Sequence, residues 1–218
     1  MAKTWANFWA QQSDPRHPRD ADFYAIHSAE LQLIVGSCAG KRVLELGCGS
    51  GELFDHLHFG EATTYRGVDF SQQMLAKFAE RHPEVITAYG DASTYRDEEC
   101  YDIIFSNAVV QYLSREMLAR LIANGRAMMT PTSRLVLGSV PWKPARSAFY
   151  LNAFYPHMGR TPRNWAVLMR AWVGIDRIGH WYRCGTLSKL ARINGLSIRF
   201  YGSLQFPYCF HAKFELLP

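Results

Sequence analysis

Three glycines at alternate positions, Gly47, Gly49 and Gly51, follow a short apolar run over residues 42–46. Glycine adopts backbone angles that other residues avoid and lets a ligand approach the main chain closely. A turn of this kind at the carboxyl end of a strand is where doubly wound sheets bind nucleotides. The spacing therefore predicts a nucleotide-like ligand here, although a tight turn that only requires glycine would leave the same pattern.

The glycine spacing argues against a dinucleotide. The fingerprint Gly-x-Gly-x-x-Gly, counted from Gly47, requires a glycine at position 52, where the chain has Glu52. A carboxylate beside a pyrophosphate would repel it. Glu45, two residues before the turn, instead suits a ligand that carries positive charge.

Short apolar runs alternate with helical patterns, which predicts an α/β fold with a mostly parallel sheet and helices on both faces. The predicted strands are residues 42–46, 64–68, 85–89, 101–106 and 134–139, followed by a hairpin of 196–201 and 208–216. Helices are predicted over residues 22–38, from near Gly51, and after Ser71 and Ser114, which are suitable N-caps. The sheet would then have seven strands and end in an antiparallel hairpin.

Four segments together resemble the motifs of the class I S-adenosylmethionine-dependent methyltransferases. They read VLELGCGSG at 43–51, GVDFS at 67–71, GDA at 90–92 and YDIIFSN at 101–107. Their order and spacing agree with that family over residues 41–139. The resemblance implies a doubly wound, Rossmann-like fold and S-adenosylmethionine as the cofactor, which carries an ammonium and a sulfonium group and no phosphate.

The resemblance also implies a set of cofactor contacts. It assigns Asp69 to the ribose hydroxyls, Asp91 to the adenine amino group, and Ser106 and Asn107 to the region of the sulfonium methyl. For each of these a turn or helix-capping role is the alternative. The complete expected set is Glu45, Gly47, Cys48, Gly49, Gly51, Asp69, Phe70, Asp91, Ala92, Ser106 and Asn107.

We expect one domain over residues 1–218, with the cofactor core at 41–140. The family usually places N-terminal helices over the cofactor, so residues 1–40 are predicted to form a lid, in which His27 is a candidate neighbour of the methionine carboxylate. Residues 185–218 would supply the last helix and the terminal strands.

Residues 141–184 form a long segment between the fifth strand and the last helix. They hold seven lysines and arginines and one acid, Asp176, so their net charge is +6, against +5 for the whole chain. Arginines match carboxylates and phosphates, and aromatic rings stack on planar groups. We interpret the segment as an acceptor-binding insertion, with a solvated basic face as the alternative. The expected acceptor contacts are Arg146, Tyr150, Arg160, Arg163 and Trp181.

The predicted reaction is methyl transfer to an oxygen or nitrogen of a small anionic or aromatic metabolite. His211, His180 and His157 are the candidates for a general base. The alternatives are an RNA or protein methyltransferase, or a member that binds the cofactor without catalysis. RNA ranks second because the net charge is small, and DNA is disfavoured because the segment SNAV at 106–109 replaces the Asn-Pro-Pro-Tyr of DNA amino-methylating relatives.

The five cysteines are scattered and form no Cys-x-x-Cys pair, so we expect neither a disulfide framework nor a metal site. No apolar run approaches the length needed to span a membrane. We therefore expect a cytoplasmic protein, with its oligomeric state left open.

Overall fold

A computed structural model describes residues 21–61, 63–154, 161–172 and 178–217. Their fold is the predicted Rossmann-like α/β sandwich, built on a seven-stranded sheet of order β3-β2-β1-β4-β5-β7-β6. The strands are β1 Arg42–Leu46, β2 Thr64–Asp69, β3 Ile86–Tyr89, β4 Tyr101–Asn107, β5 Met129–Pro141, β6 Leu196–Gly202 and β7 Cys209–Leu216. The helices are α1 Ala21–Val35, α2 Gln72–Arg81, α3 Arg115–Ala127, α4 Arg146–Tyr150, α5 Pro162–Trp172 and α6 Cys184–Ile193.

The strand order reverses next to β1. Strand β1 pairs in parallel with β2 on one side and with β4 on the other. In doubly wound sheets ligands bind beyond the carboxyl ends of the strands at this switch point. The predicted antiparallel end is confirmed, since β7 pairs antiparallel with both β5 and β6.

The sheet separates two apolar clusters. Helices α3 and α6 cover one face, where Leu118 and Leu187 are fully buried, and helices α1 and α2 cover the other, where Val35 and Phe78 are buried. The predicted N-caps are confirmed: Ser71 accepts from the amide of Met74 and Ser114 from that of Met117. Together these helices hold the central strands in fixed register beneath the crevice.

The helix expected from Gly51 is absent, and residues 51–57 form successive turns. The segment lies between two glycines with positive φ, Gly51 at 86° and Gly60 at 75°. Positive φ lies outside the right-handed helical region, so no helix can continue through either glycine. Aromatic contacts fix it instead, because Phe54 packs against Tyr65 and Phe78, with centroids 4.8 and 5.4 Å away.

Strand β5 is longer than predicted and begins five residues earlier, at Met129. Its register against β4 shifts between Tyr101 and Ile103, and the Ser133 hydroxyl donates to the Tyr101 carbonyl at 2.5 Å across this irregularity. Residues 130–134, at the start of the strand, are largely polar, so the hydrophobic pattern did not predict this extension. Within the described part of the chain, no helix is long and apolar enough to cross a membrane.

The described residues of the 141–184 segment rest on the carboxyl end of β5. Trp142 forms a parallel bridge with Tyr182, and helices α4 and α5 pack around a small cluster that contains Tyr150, Leu168 and Trp181. The four-part division of the chain proposed above remains a prediction.

The glycine turn predicts a difference between two substitutions. Gly47 has φ +84° and a Cβ there would lie 2.3 Å from Val109 Cγ2, whereas Gly40 has φ +66° and nothing within 4 Å. Gly40→Ala carries only the backbone cost, about 1–2 kcal/mol, and Gly47→Ala adds overpacking, for a total of about 2–5 kcal/mol. Urea unfolding of both variants measures this difference, and equal losses would show that Val109 does not constrain the turn.

Candidate active site

The side chain of Asp69 joins the loops that follow β1 and β2. Its Oδ2 accepts from the Gly49 amide at 2.9 Å and its Oδ1 from the Ser71 amide at 2.8 Å. The turn itself is pinned to β2, because the amides of Gly47 and Cys48 both donate to the Val68 carbonyl. All three glycines of the turn have positive φ, at 84°, 57° and 86°. The turn is thus a rigid cradle with a carboxylate at its side.

Three acids converge on this cradle. Glu45 is 2% exposed and accepts from the Tyr65 hydroxyl at 2.5 Å. Burial raises its pKa to about 8, and the nearby charges of Glu52 and Asp69 add to this shift. Burial also raises the pKa of Asp69, against the opposing effect of its amide hydrogen bonds.

This charge arrangement fits a cationic ligand. Buried carboxylates that repel one another are stabilised by a neighbouring positive group, whereas a pyrophosphate would meet three acids. The residues therefore fit S-adenosylmethionine, whose ammonium and sulfonium are positive.

At the end of β3, Asp91 is exposed and its Oδ1 accepts from the Ser93 amide at 2.7 Å. This Asx turn uses one of its two oxygens. Ala92 beside it is buried, and Phe70, after β2, is half-buried. These residues lie on the same edge of the sheet as the glycine turn, which is a suitable position for contacts with the adenosine. Their assignment to the adenosine remains a prediction.

The polar residues that end β4 are held from two directions. The Ser106 hydroxyl donates to the Leu46 carbonyl at 2.6 Å, which joins the ends of β4 and β1. The side-chain amide of Asn107 lies 3.1 Å from His27 Nε2 on α1. Ser106 is fully buried and Asn107 half-buried, so Asn107 is the better placed of the two to face a ligand.

His211 is part of a buried polar network at the end of β5. Its Nδ1 accepts from the Ser139 amide at 3.3 Å, so its Nε2 carries the proton and donates to Glu30 Oε1 at 3.2 Å. Burial lowers the pKa of His211, which keeps the ring neutral. With both ring nitrogens engaged, the geometry gives His211 a role in positioning Glu30.

Glu30 and Ser139 were not identified from the sequence. Glu30 also accepts from the Leu204 amide at 2.6 Å, which fixes the β6–β7 connection. The sequence offered one indication of Glu30, because it is a charged residue beside Leu31 on the side of α1 that is buried. Ser139 has φ 53° at an irregularity in β5 and contacts His27 Nε2 at 3.4 Å. Such strained non-glycine residues cluster at functional sites, but a sequence does not reveal them.

The expected acceptor residues are spread over the insertion. Arg146 donates to the Ala171 carbonyl, which joins α4 to α5. Tyr150 and Trp181 are buried in the cluster between those helices. His180 is half-buried and its amide donates to the Gln111 carbonyl at 2.7 Å, just beyond β4. His157, Arg160 and the side chain of Arg163 lie outside the described residues, and the acceptor contacts remain predictions.

Comparison with known proteins agrees with this geometry. Residues 43–132 match the family model described as a methyltransferase domain. The match covers less than half of the chain, and it shows that this part is similar to a methyltransferase domain. A trans-aconitate 2-methyltransferase of Methylobacterium nodulans is 35% identical over 105 residues, 45% of this chain and 40% of that protein. A malonyl-[acyl-carrier protein] O-methyltransferase of Bacillus cytotoxicus is 32% identical over 89 residues, 39% of this chain and 31% of that protein.

The chain thus spans less than half the length of these two curated relatives. Among solved structures, magnesium protoporphyrin IX methyltransferase from Synechocystis, with S-adenosylmethionine bound, superposes with a TM-score of 0.66 at 15% identity, covering 99% of this chain and 97% of that one. The likeness at this identity concerns the fold.

The raised pKa of Glu45 predicts a pH-dependent stability. In the unfolded chain this carboxyl ionises near 4.5, but in the folded protein only near 8. The contribution of Glu45 to the free energy of unfolding is therefore fully present below pH 4.5. It is lost as the pH rises through 8, by up to about 1.4 kcal/mol per pH unit. We expect Glu45→Gln, which mimics the protonated acid, to remove this slope in urea unfolding between pH 5 and 8. An unchanged slope would show that Glu45 is ionised throughout.

Asp69→Ala should weaken cofactor binding and also destabilise the cradle, because two amides lose their acceptor. Loss of charge-assisted hydrogen bonds predicts roughly a tenfold or larger drop in affinity for S-adenosylhomocysteine. The control is Glu99→Ala, which removes ion pairs with Arg42 and Arg66 at the opposite end of the strands. Calorimetry on the folded proteins measures both, and equal affinities for the two variants would place the ribose contact elsewhere.

Proposed function

We propose that the chain transfers a methyl group from S-adenosylmethionine to an oxygen of a small anionic metabolite, with a carboxylate as the accepting group. The observation that carries the cofactor assignment is the buried Asp69 carboxylate beside the glycine cradle. It stands where the ribose-binding acid stands in Rossmann-type sites, while Glu45 and Glu52 favour positive charge over phosphate.

The cofactor supplies an already activated methyl group. Asp69 would hold the ribose, Asp91 and Ala92 the adenine, and the glycine turn the methionine portion. The main task left to the protein is to hold acceptor, methyl and sulfur in line. Asn107 contacts His27 at the end of β4 and would border the methyl group.

A carboxylate acceptor agrees with the state of the histidines. Carboxylates ionise near pH 4 and need no general base at neutral pH. His211 has both ring nitrogens engaged and a lowered pKa, so a reaction that requires no base suits this site. The two curated relatives also take their names from acids, trans-aconitate and a malonyl group.

A protein-borne acceptor is the second candidate. Trp165, Met169 and Trp172 recur at helical spacing along α5, and each is more than half exposed, at 56%, 61% and 68%. Exposed apolar patches of this kind mark interaction surfaces. A carrier protein that docks on α5 would bring an acid that is attached to it through a flexible linker. Labelling of macromolecules would identify this case.

The test is incubation with S-adenosylmethionine labelled in its methyl group, together with trans-aconitate or a fractionated extract. A methyl ester releases volatile labelled methanol in base, so we expect base-labile label in small acids, and at least about tenfold less of it with Asp69→Ala at limiting cofactor concentration. Base-stable label would exclude a carboxylate acceptor. Label confined to macromolecules would favour the second candidate, and no label in any fraction would favour a noncatalytic cofactor-binding protein.

A further inference from the structure

Three cationic side chains line one open cavity beside the ends of β4 and β5. The cavity has a volume of about 240 Å³, and its polar rim contains Arg115, Lys143, Arg183 and the half-buried His180. We call this set, with Trp181, Tyr182 and Thr186, the cationic groove. Arg115 comes from the start of α3, whereas the others come from the insertion and α6, so the chain brings together charges that are distant in sequence.

The groove cations form no close ion pair. Within the described part of the chain, Arg115, Lys143 and Arg183 form no ion pair, while Arg42, Arg66, Arg81, Arg199 and Lys213 do. The groove lining includes no acid. One acid lies near the groove, since the exposed Glu116 follows Arg115 and interacts electrostatically with Arg115 and with Tyr182. Three cations against this one carboxylate leave the groove with a net positive charge, which raises the local concentration of anions.

Backbone hydrogen bonds fix the floor of the groove to the sheet. Tyr182 donates its amide to the Pro141 carbonyl and accepts from the Lys143 amide, each at 2.8 Å. Its hydroxyl donates to the Leu113 carbonyl at 2.5 Å. The groove therefore has a rigid base at the same edge of the sheet as the glycine cradle and Asn107.

The start of α6 adds to the positive potential. Arg183 occupies the N-cap position and makes no side-chain cap hydrogen bond. The first amides of a helix lack partners within the helix, and its N-terminus carries a partial positive charge. In this groove that potential reinforces the three side chains.

We propose that the cationic groove binds an oxyanion of the acceptor, a carboxylate or a phosphate group other than the one methylated, and so selects polyanionic acceptors. This inference rests on the proposed function and assigns the selection to Arg115, Lys143 and Arg183. Arg146, which is also predicted to contact the acceptor, donates to the Ala171 carbonyl. The small volume suits a compact acid, since pockets for drug-sized ligands have roughly 300–1,000 Å³.

The experiment is calorimetry in the presence of S-adenosylhomocysteine with two probes, trans-aconitate and inorganic phosphate. The groove variants are Arg115→Met and Arg183→Met. The matched controls are Arg120→Met and Arg192→Met, which remove exposed arginines from the same two helices outside the groove. We expect each groove variant to weaken trans-aconitate binding about tenfold or more, each control to change it less than twofold, and all four to keep the wild-type affinity for S-adenosylhomocysteine.

The outcomes separate the two proposals. If phosphate alone binds and shows the same pattern among the variants, the groove stands and the acceptor is a phosphorylated one. If neither probe binds, or if groove and control variants lose the same affinity, the inference is wrong even where S-adenosylhomocysteine binds. If the probes bind with the expected pattern but S-adenosylhomocysteine does not bind the wild type, the groove stands and the proposed function fails.

Discussion

The carboxylate of Asp69, buried between the amides of Gly49 and Ser71, is the interaction on which the site depends. One carboxylate accepts from two loops that follow neighbouring parallel strands. Buried charge is costly unless it is hydrogen-bonded, so these amides fix the position of the carboxylate and the carboxylate fixes the loops. Gly49, whose amide donates to Asp69, has φ 57°, a conformation that glycine adopts without strain.

The same arrangement explains the charge of the cradle. Glu45 and Asp69 both have raised pKa values because they are buried, and Glu52 adds its charge to each. The folded protein therefore carries an unfavourable concentration of acids at the switch point of its sheet. A ligand with positive groups would stabilise that concentration, so the feature that destabilises the free protein would favour the cationic cofactor that we propose. On the far side of β4 the groove cations produce the opposite potential, and the two surfaces suit a cationic cofactor and an anionic acceptor.

The sequence predicted the parts of the molecule that local pattern determines. The buried strands β1, β2 and β4, the caps Ser71 and Ser114, and the glycine turn all lie where the pattern indicated. Prediction from the sequence failed where tertiary contacts override local propensity. Residues 51–57, between two glycines of positive φ, do not form the expected helix. Strand β5 extends back through polar residues to Met129. The sequence pattern also did not predict long-range polar pairs, such as the hydrogen bond between Glu30 and His211, which are 181 residues apart. The proximity of Arg115 to Arg183 in the groove could not be predicted either, since nothing in the local sequence of Arg115 relates it to Arg183.

We predict that the acidic glycine cradle accepts a cationic nucleoside and rejects a dinucleotide. Calorimetric titration of the wild-type chain with S-adenosylmethionine and with NAD tests this most directly, because both ligands carry an adenosine, only S-adenosylmethionine carries a sulfonium and only NAD carries a pyrophosphate. We predict saturable binding of S-adenosylmethionine and no detectable binding of NAD. Binding of NAD in the absence of S-adenosylmethionine binding would contradict this prediction.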